Sequence, residues 1–326
     1  MVLAVHKLEM IDKYIVLEDL GKGANSSIKK VQDPETGLIY TLKHVEKKTE
    51  ADNRFFEQAE TEFEVSRDFD HPYLRKSLEI KRIRKWLKTQ ELLLVMEYID
   101  GKNLKQAHLT DIEEIIDIFI KVSQGLSYLH RLGYVHADIK PKNIMIVPDA
   151  GIKIIDFGQT CPLGHRKLRI QGTPDYMAPE QAERNFLDQR TDIFSLGATF
   201  YEVISNTHFQ TMVRTTTDGG MELTAPPNMK DIQRPDELNP ECPISLSKLV
   251  MDCCNFNIKE RPENMREVIA RLEVAKHLYL KQKRSRTESG QTAPVQEIKP
   301  AEPVPQRADE NFDDSDDFEK FIESIL

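Results

Sequence analysis

A change of periodicity near residue 100 constrains this chain more than any other single feature. From Tyr14 to about Glu46, β-branched and aromatic residues come in short runs broken by Gly21-Lys22-Gly23 and by Asp33-Pro34-Glu35-Thr36-Gly37, as in strands joined by turns. Between Asp52 and Phe69 the spacing of Phe56, Ala59, Phe63 and Val65 predicts one helix. It should close before His71-Pro72, because the residue ahead of a proline avoids the α region. A second strand pair is expected at Leu78 to Ile83 and Glu91 to Tyr98. Beyond Gly101 helical spacing takes over. Thr110-Asp111-Ile112-Glu113 reads as a capping box for a helix carrying Ile112, Ile115, Ile116, Phe119, Ile120, Val122 and Leu126, closed by Gly133. Further helices are expected near Gln189 to Ser205, Pro243 to Cys254 and Pro262 to Leu280. The expected class is α+β: a small antiparallel sheet with one main helix, about 14–98, then a larger, mainly helical part, about 101–280.

From Lys281 onward Pro, Ser, Thr, Gln and charge dominate, a composition too polar to repay ordering by burial, so 281–326 is expected to be a flexible tail. Charge is uneven along the chain. Of the formal net −9, residues 308–326 carry −7 (eight acids against Lys320), which leaves −2 elsewhere and argues against bulk nucleic-acid binding. Within this acidic stretch Phe318, Phe321, Ile322 and Ile325 fall at helical spacing, an amphipathic pattern. It suggests either a solvating tail or a docking segment, for a partner protein or for the basic run Lys81, Arg82, Arg84, Lys85 and Lys88.

Four cysteines, Cys161, Cys242, Cys253 and Cys254, form no CxxC pair and no metal-ligand spacing, so reduced thiols and a reducing compartment are expected. Charges interrupt the N-terminal stretch before a signal-peptide core can build up, and no later run reaches the length of a membrane span. The expectation is a cytoplasmic protein.

Several polar motifs follow one another in a fixed order. They are Leu20-Gly21-Lys22-Gly23-Ala24-Asn25-Ser26-Ser27-Ile28, Tyr40-Thr41-Leu42-Lys43, Leu94-Val95-Met96-Glu97-Tyr98-Ile99, Tyr134-Val135-His136-Ala137-Asp138-Ile139-Lys140-Pro141-Lys142-Asn143, Asp156-Phe157-Gly158 and Gly172-Thr173-Pro174-Asp175-Tyr176-Met177-Ala178-Pro179-Glu180. Between Leu20 and Arg261 this order resembles the eukaryotic-type serine/threonine protein kinases, bacterial members among them.

The resemblance implies a two-lobed kinase fold, ATP and Mg²⁺ as cofactors, and protein substrates. Leu20 through Ile28 would then cover the ATP phosphates, where absent Cβ atoms let backbone amides approach oxygen. Lys43 would contact the α- and β-phosphates, held by a helix carboxylate; family spacing selects Glu62, with Glu60 and Glu64 as neighbouring candidates. Thr41, Met96 as gatekeeper, backbone groups of Glu97 and Ile99, and Met145 would surround the adenine. Asp138 would accept the substrate hydroxyl's proton and Lys140 would offset γ-phosphate charge. Asn143 and Asp156 would hold the metal, and Thr173 would line the acceptor site. Asp192 would brace the catalytic loop, and Glu180 would pair with Arg261.

Four positions depart from the family pattern. Ser26 replaces the third glycine, Thr41 an alanine, and Ala137 the arginine that normally receives an activation-segment phosphate. Ser66 replaces an apolar side chain expected to stack on Phe157, which bears on the Glu62 assignment. With Thr160 as the sole hydroxyl between Gly158 and Thr173, and His165, Arg166, Lys167 and Arg169 supplying positive charge, an enzyme that needs no activation-segment phosphorylation is expected. The competing reading is a kinase-shaped scaffold that holds nucleotide with little turnover.

Overall fold

The computed structural model describes residues 9–288 apart from 24, 86–87, 149–150 and 217–219. Two compact units emerge: residues up to Leu104 together with Lys142–Thr160, and Lys105–Pro141 together with the residues from Cys161 on.

The sheet of the first unit is antiparallel, in the order β1 (Met10–Ile11), β2 (Tyr14–Gly23), β3 (Ser26–Gln32), β4 (Ile39–Glu46), β6 (Lys88–Glu97) and β5 (Ser77–Lys85). Both strands of the second pair extend further than the apolar spacing indicated, because cross-strand pairing carries the hairpin out to Lys85 and Lys88. Helix α1 (Asn53–Ser66) lies on one face, where Phe56 and Ala59 pack with Val45, Leu92, Leu94 and Met96. Tyr14, Val31, Leu42, Leu93 and Val95 form the core of the opposite face. This alternation along β6 is what a strand buried on both faces requires.

After β7 (Lys102–Asn103) the chain runs through α2 (Leu104–Ala107), α3 (Ile112–Arg131) and β8 (Tyr134–Val135). It then returns to the first unit with the hairpin β9 (Ile144–Val147) and β10 (Gly151–Ile154), which adds to β7. Residues 142–160 cluster with the sheet despite their place in the chain, since Ile154 bridges Leu74 and Lys153 reaches Glu97 at 2.8 Å. The helix at 112 is capped by Asp111, whose Oδ1 accepts the Glu113 N–H at 2.9 Å, one residue later than the Thr110 box. Gly133 takes φ +88° just beyond its end, as a left-handed terminator should.

The second unit continues with β11 (Cys161–Pro162) on β8, β12 (His165–Arg166), α4 (Pro179–Ala182), β13 (Phe186–Leu187) on β12, and the buried α5 (Gln189–Ser205). Then come the hairpin β14 (Val213–Thr215) and β15 (Met221–Leu223), α6 (Pro235–Leu238), α7 (Ile244–Cys253) and α8 (Met265–Glu288). The last helix passes Leu280, where helical order was expected to stop. Lys276 pairs with Asp117 at 2.6 Å and Lys283 with Glu113 at 3.5 Å, so contacts with α3 carry it onward. All four cysteines are free and buried. No helix among the described residues is long and apolar enough to cross a membrane.

Candidate active site

In the first unit β2 and β3 form the hairpin predicted at the glycines, with Gly21 opposite Ile28, Lys22 opposite Ser27 and Gly23 opposite Ser26. A Cβ on Gly23 would lie 2.6 Å from Ser26 Oγ, so the serine that replaces the third glycine occupies the room the second one leaves. The Asn25 amide donates to Asp52, anchoring the far side of the turn, while Ala24 lies outside the described residues.

On β4, Lys43 stands opposite Ile28 and Leu94, and Thr41 opposite Met96, so the glycine hairpin, the lysine and Met96 share one register. Lys43 Nζ lies 2.9 Å from Glu62 Oε2 and 3.9 Å from Asp156 Oδ1. Burial opposes charge on this ammonium, yet the Glu62 and Asp156 carboxylates outweigh it and hold the lysine above its ordinary value. Among the three helix glutamates, Glu62 is the buried one; Glu60 pairs with Arg82 at 2.7 Å and Glu64 faces solvent. Arg75 was not anticipated: its Nη2 donates to Glu62 Oε1 at 2.7 Å.

Ser66, which replaces the expected apolar side chain, has polar partners instead. Buried Ser66 Oγ lies 2.5 Å from the Glu62 carbonyl and 2.6 Å from Ser77 Oγ, tying α1 to β5. The ring against Phe157 comes instead from Phe69, edge-on at 4.9 Å. Phe69 was visible in the sequence, just ahead of His71-Pro72, but only as a helix end.

Further round the same unit, the Glu97 N–H is bonded to the Lys76 carbonyl at 3.0 Å. Ile99 follows the end of β6, and half-buried Met145 sits on β9 opposite Lys153 and Asn103. Asn143 and Asp156 are joined by the Ile155 N–H to the Asn143 carbonyl at 2.9 Å. Their side chains offer one amide and one carboxylate oxygen. Among the described residues no three His, Cys, Asp or Glu are grouped to hold an ion. Two hard oxygen donors without a cage fit a cation that takes its other ligands from phosphate and water, which is the habit of Mg²⁺.

The second unit holds the remaining polar motif residues in a triangle. Lys140 Nζ donates to Asp138 Oδ2 at 2.7 Å and to Thr173 Oγ1 at 2.7 Å, and Thr173 Oγ1 donates to Asp138 Oδ1 at 2.9 Å. Beneath it, fully buried Asp192 accepts from the His136 and Ala137 N–H groups, each at 2.8 Å, and contacts His130 Nε2 at 2.8 Å. Burial raises the Asp192 carboxyl, but these donors, His130 first, bring it below its ordinary value. Three bonds to one carboxylate fix the loop while Ala137 sits at φ +61°, a left-handed conformation costing about 1 kcal/mol that only such over-determination retains.

Glu180 and Arg261 form a two-pronged pair at 2.8 and 3.0 Å. Gln181, which sequence reasoning missed, donates to the Ala137 carbonyl at 2.8 Å and so joins α4 to the same loop. Lys167, in the segment that leads to Thr173, feels Cys161, Asp138 and Asp192, and burial lowers its affinity for a proton. It brings basic charge toward a loop from which Ala137 has removed it.

A curled antiparallel sheet with a buried lysine–glutamate pair, and a helical unit with a carboxylate braced from below, define the architecture of the protein kinases. The comparison with known families agrees: the family described as protein kinase domain matches residues 14–280, and the chain belongs to it. It is 32% identical over 198 residues to a probable serine/threonine-protein kinase of Clostridium acetobutylicum, covering 57% of this chain and 29% of that protein. To another of Clostridium perfringens it is 25% identical over 276 residues, covering 81% and 38%. The chain thus spans about a third of the length of these relatives. The crystal structure of the Mycobacterium tuberculosis PknI kinase domain aligns with a TM-score of 0.63 at 22% identity, covering 83% of this chain and 100% of that one, a likeness of fold.

Proposed function

We propose that this chain is a serine/threonine protein kinase, moving the γ-phosphoryl group of ATP to Ser or Thr hydroxyls of protein substrates, with its catalytic domain at 14–280. The observation that carries the reading is the Asp138–Lys140–Thr173 triangle: a base, a cation and a hydroxyl within mutual hydrogen-bonding distance. Asp138 accepts the proton as the substrate oxygen bonds to the γ-phosphorus and the bond from that phosphorus to the ADP oxygen breaks. Lys140 offsets charge on the transferred group, and Thr173 favours aliphatic hydroxyl acceptors. Lys43, held by Glu62, receives the α- and β-phosphates under the hairpin of Leu20 to Ile28, while Thr41, Met96, Glu97, Ile99 and Met145 border the base. Asn143 and Asp156 would hold Mg²⁺, which when bound neutralises phosphate oxygens.

Buried reduced cysteines favour a cytoplasmic setting. The alternative of a scaffold without turnover rests on Ser26, Thr41, Ser66 and Ala137, and against it stands the pairing of Lys43 with Glu62. Incubating the full chain with γ-labelled ATP, Mg²⁺ and a mixed peptide library tests the reading. Label recovered as phosphoserine or phosphothreonine is the expected result; recovery on tyrosine alone, or none, rejects it.

A further inference from the structure

The second unit presents a patch that is apolar and basic at once. Leu163, Leu168 and Phe186 are 39, 88 and 69% exposed. Backbone bonds draw Leu163 and Phe186 together, with Leu168 following in the same segment: Leu163 N–H to the Gly133 carbonyl and Gly164 N–H to the Leu187 carbonyl, both 2.8 Å, and β12 on β13, with Arg166 opposite Phe186. Arg166 and Phe186 therefore share a face. Arg166 Nε also donates to the Arg184 carbonyl at 2.6 Å, which brings Arg184 alongside. Among the described residues none of His165, Arg166, Arg169 and Arg184 is paired with a carboxylate. The neighbouring acids are already bonded, Asp188 to the Arg190 N–H and Glu183 to the Asn185 amide. An apolar surface rimmed by basic side chains without ion-pair partners marks a binding face.

The same sequence holds a segment of matching chemistry. Residues 308–326 carry a net −7, with Phe318, Phe321, Ile322 and Ile325 at helical spacing. The basic run on β5 is a poorer match, because Lys81 is bonded to Asp12 at 2.5 Å and Arg82 to Glu60 at 2.7 Å. Reach is sufficient. Residues 289–307 connect α8 to the acidic segment, about 60 Å when extended, against roughly 40 Å across a unit of this size, and α8 belongs to the unit that carries the patch.

We propose that residues 308–326 dock in cis on the Leu163–Arg169 and Arg184–Phe186 patch. Phe318 and its apolar neighbours cover Leu163, Leu168 and Phe186, while the aspartates face Arg166, Arg169 and Arg184. The occupied surface includes the segment that leads to Thr173, so docking competes with an incoming protein substrate. Because binding is the readout, failure of this inference is separable from failure of the kinase reading.

Amide hydrogen exchange on the full chain tests it, comparing the native sequence with a variant carrying Asp313→Asn, Asp314→Asn, Asp316→Asn, Asp317→Asn, Phe318→Ser and Phe321→Ser. These changes lie outside the described fold. Exchange over 163–169 and 184–187 is expected to rise about fivefold or more in the variant at low salt, with the difference shrinking near 1 M salt while residues 77–85 stay unchanged. The reciprocal variant Arg169→Glu with Phe186→Ser is expected to free the same amides and to make proteolysis within 308–326 faster. Equal exchange in native and variant chains, protection shifted to 77–85, or protection that grows with protein concentration as a second copy's segment would produce, overturns docking in cis.

Discussion

Lys43 and Glu62 meet at 2.9 Å, and the same carboxylate is held from its other oxygen by Arg75 at 2.7 Å. A buried charge with two cations tolerates the loss of one. Lys43→Met is therefore expected to abolish phosphoryl transfer, at least a hundredfold, while costing about 1–2 kcal/mol of stability. Adding Arg75→Met strands the carboxylate, so the double variant should lose more than the two singles together, about 3–5 kcal/mol in all. Urea unfolding of the four proteins measures the cycle; strict additivity would contradict a shared carboxylate.

Ser66 gives a second outcome. Ser66→Ala removes the hydroxyl between the Glu62 carbonyl and Ser77, with an expected loss of about 1–2 kcal/mol. Ser66→Leu, closer to the family pattern, should cost as much or more by overpacking, since Phe69 already lies against Phe157. Thermal denaturation of both variants decides it, and a stabilised leucine variant would argue that the serine is incidental.

Asp192 links the catalytic loop to stability and to pH. Asp192→Asn retains shape but loses one acceptor for the two loop amides and the charge facing His130, an expected cost of about 3 kcal/mol at pH 7. Its folded carboxyl titrates below the ordinary value of 3.8, so folding disfavours its proton. The stabilisation is complete at neutral pH and fades as pH falls below about 4 through the folded value. The gap between native and variant proteins should accordingly narrow in acid; a gap independent of pH would show that the charge is unimportant.

Thr160 bears on activation. It is 5% exposed, and its hydroxyl has no hydrogen-bond partner among the described residues. Thr160→Ala should then be neutral or slightly stabilising, by up to about 1 kcal/mol, with transfer unchanged. Phosphatase treatment of the native protein should likewise leave its rate intact. A large fall after either change would mean that a phosphate is needed.

Most of the fold was readable because its elements carry their own periodicity: the helix expected near Gln189 to Ser205 spans those residues, and the structure adds Asp188 as its cap. The motif residues were readable because each needs a particular chemistry at a particular spacing. What spacing selected only weakly, Glu62 over Glu60 and Glu64, is decided by burial on α1. Arg75, Gln181 and the Phe69 contact were not legible, since each depends on which side chains converge across distant segments. The extension of α8 to Glu288 was missed because polar sequence alone looked unable to order, whereas Lys276 and Lys283 find carboxylates on α3.

Asp138→Asn tests the central claim most directly, in a side-by-side measurement of ATP affinity and of labelled phosphate transferred with Mg²⁺ present. The substitution retains size and the contact with Lys140 while removing the proton acceptor. ATP affinity within about twofold of native, with transfer reduced by a factor of 10² or more, is the predicted result. Transfer that persists at the native rate would contradict the assignment of Asp138 as the base and, with it, the account of this site.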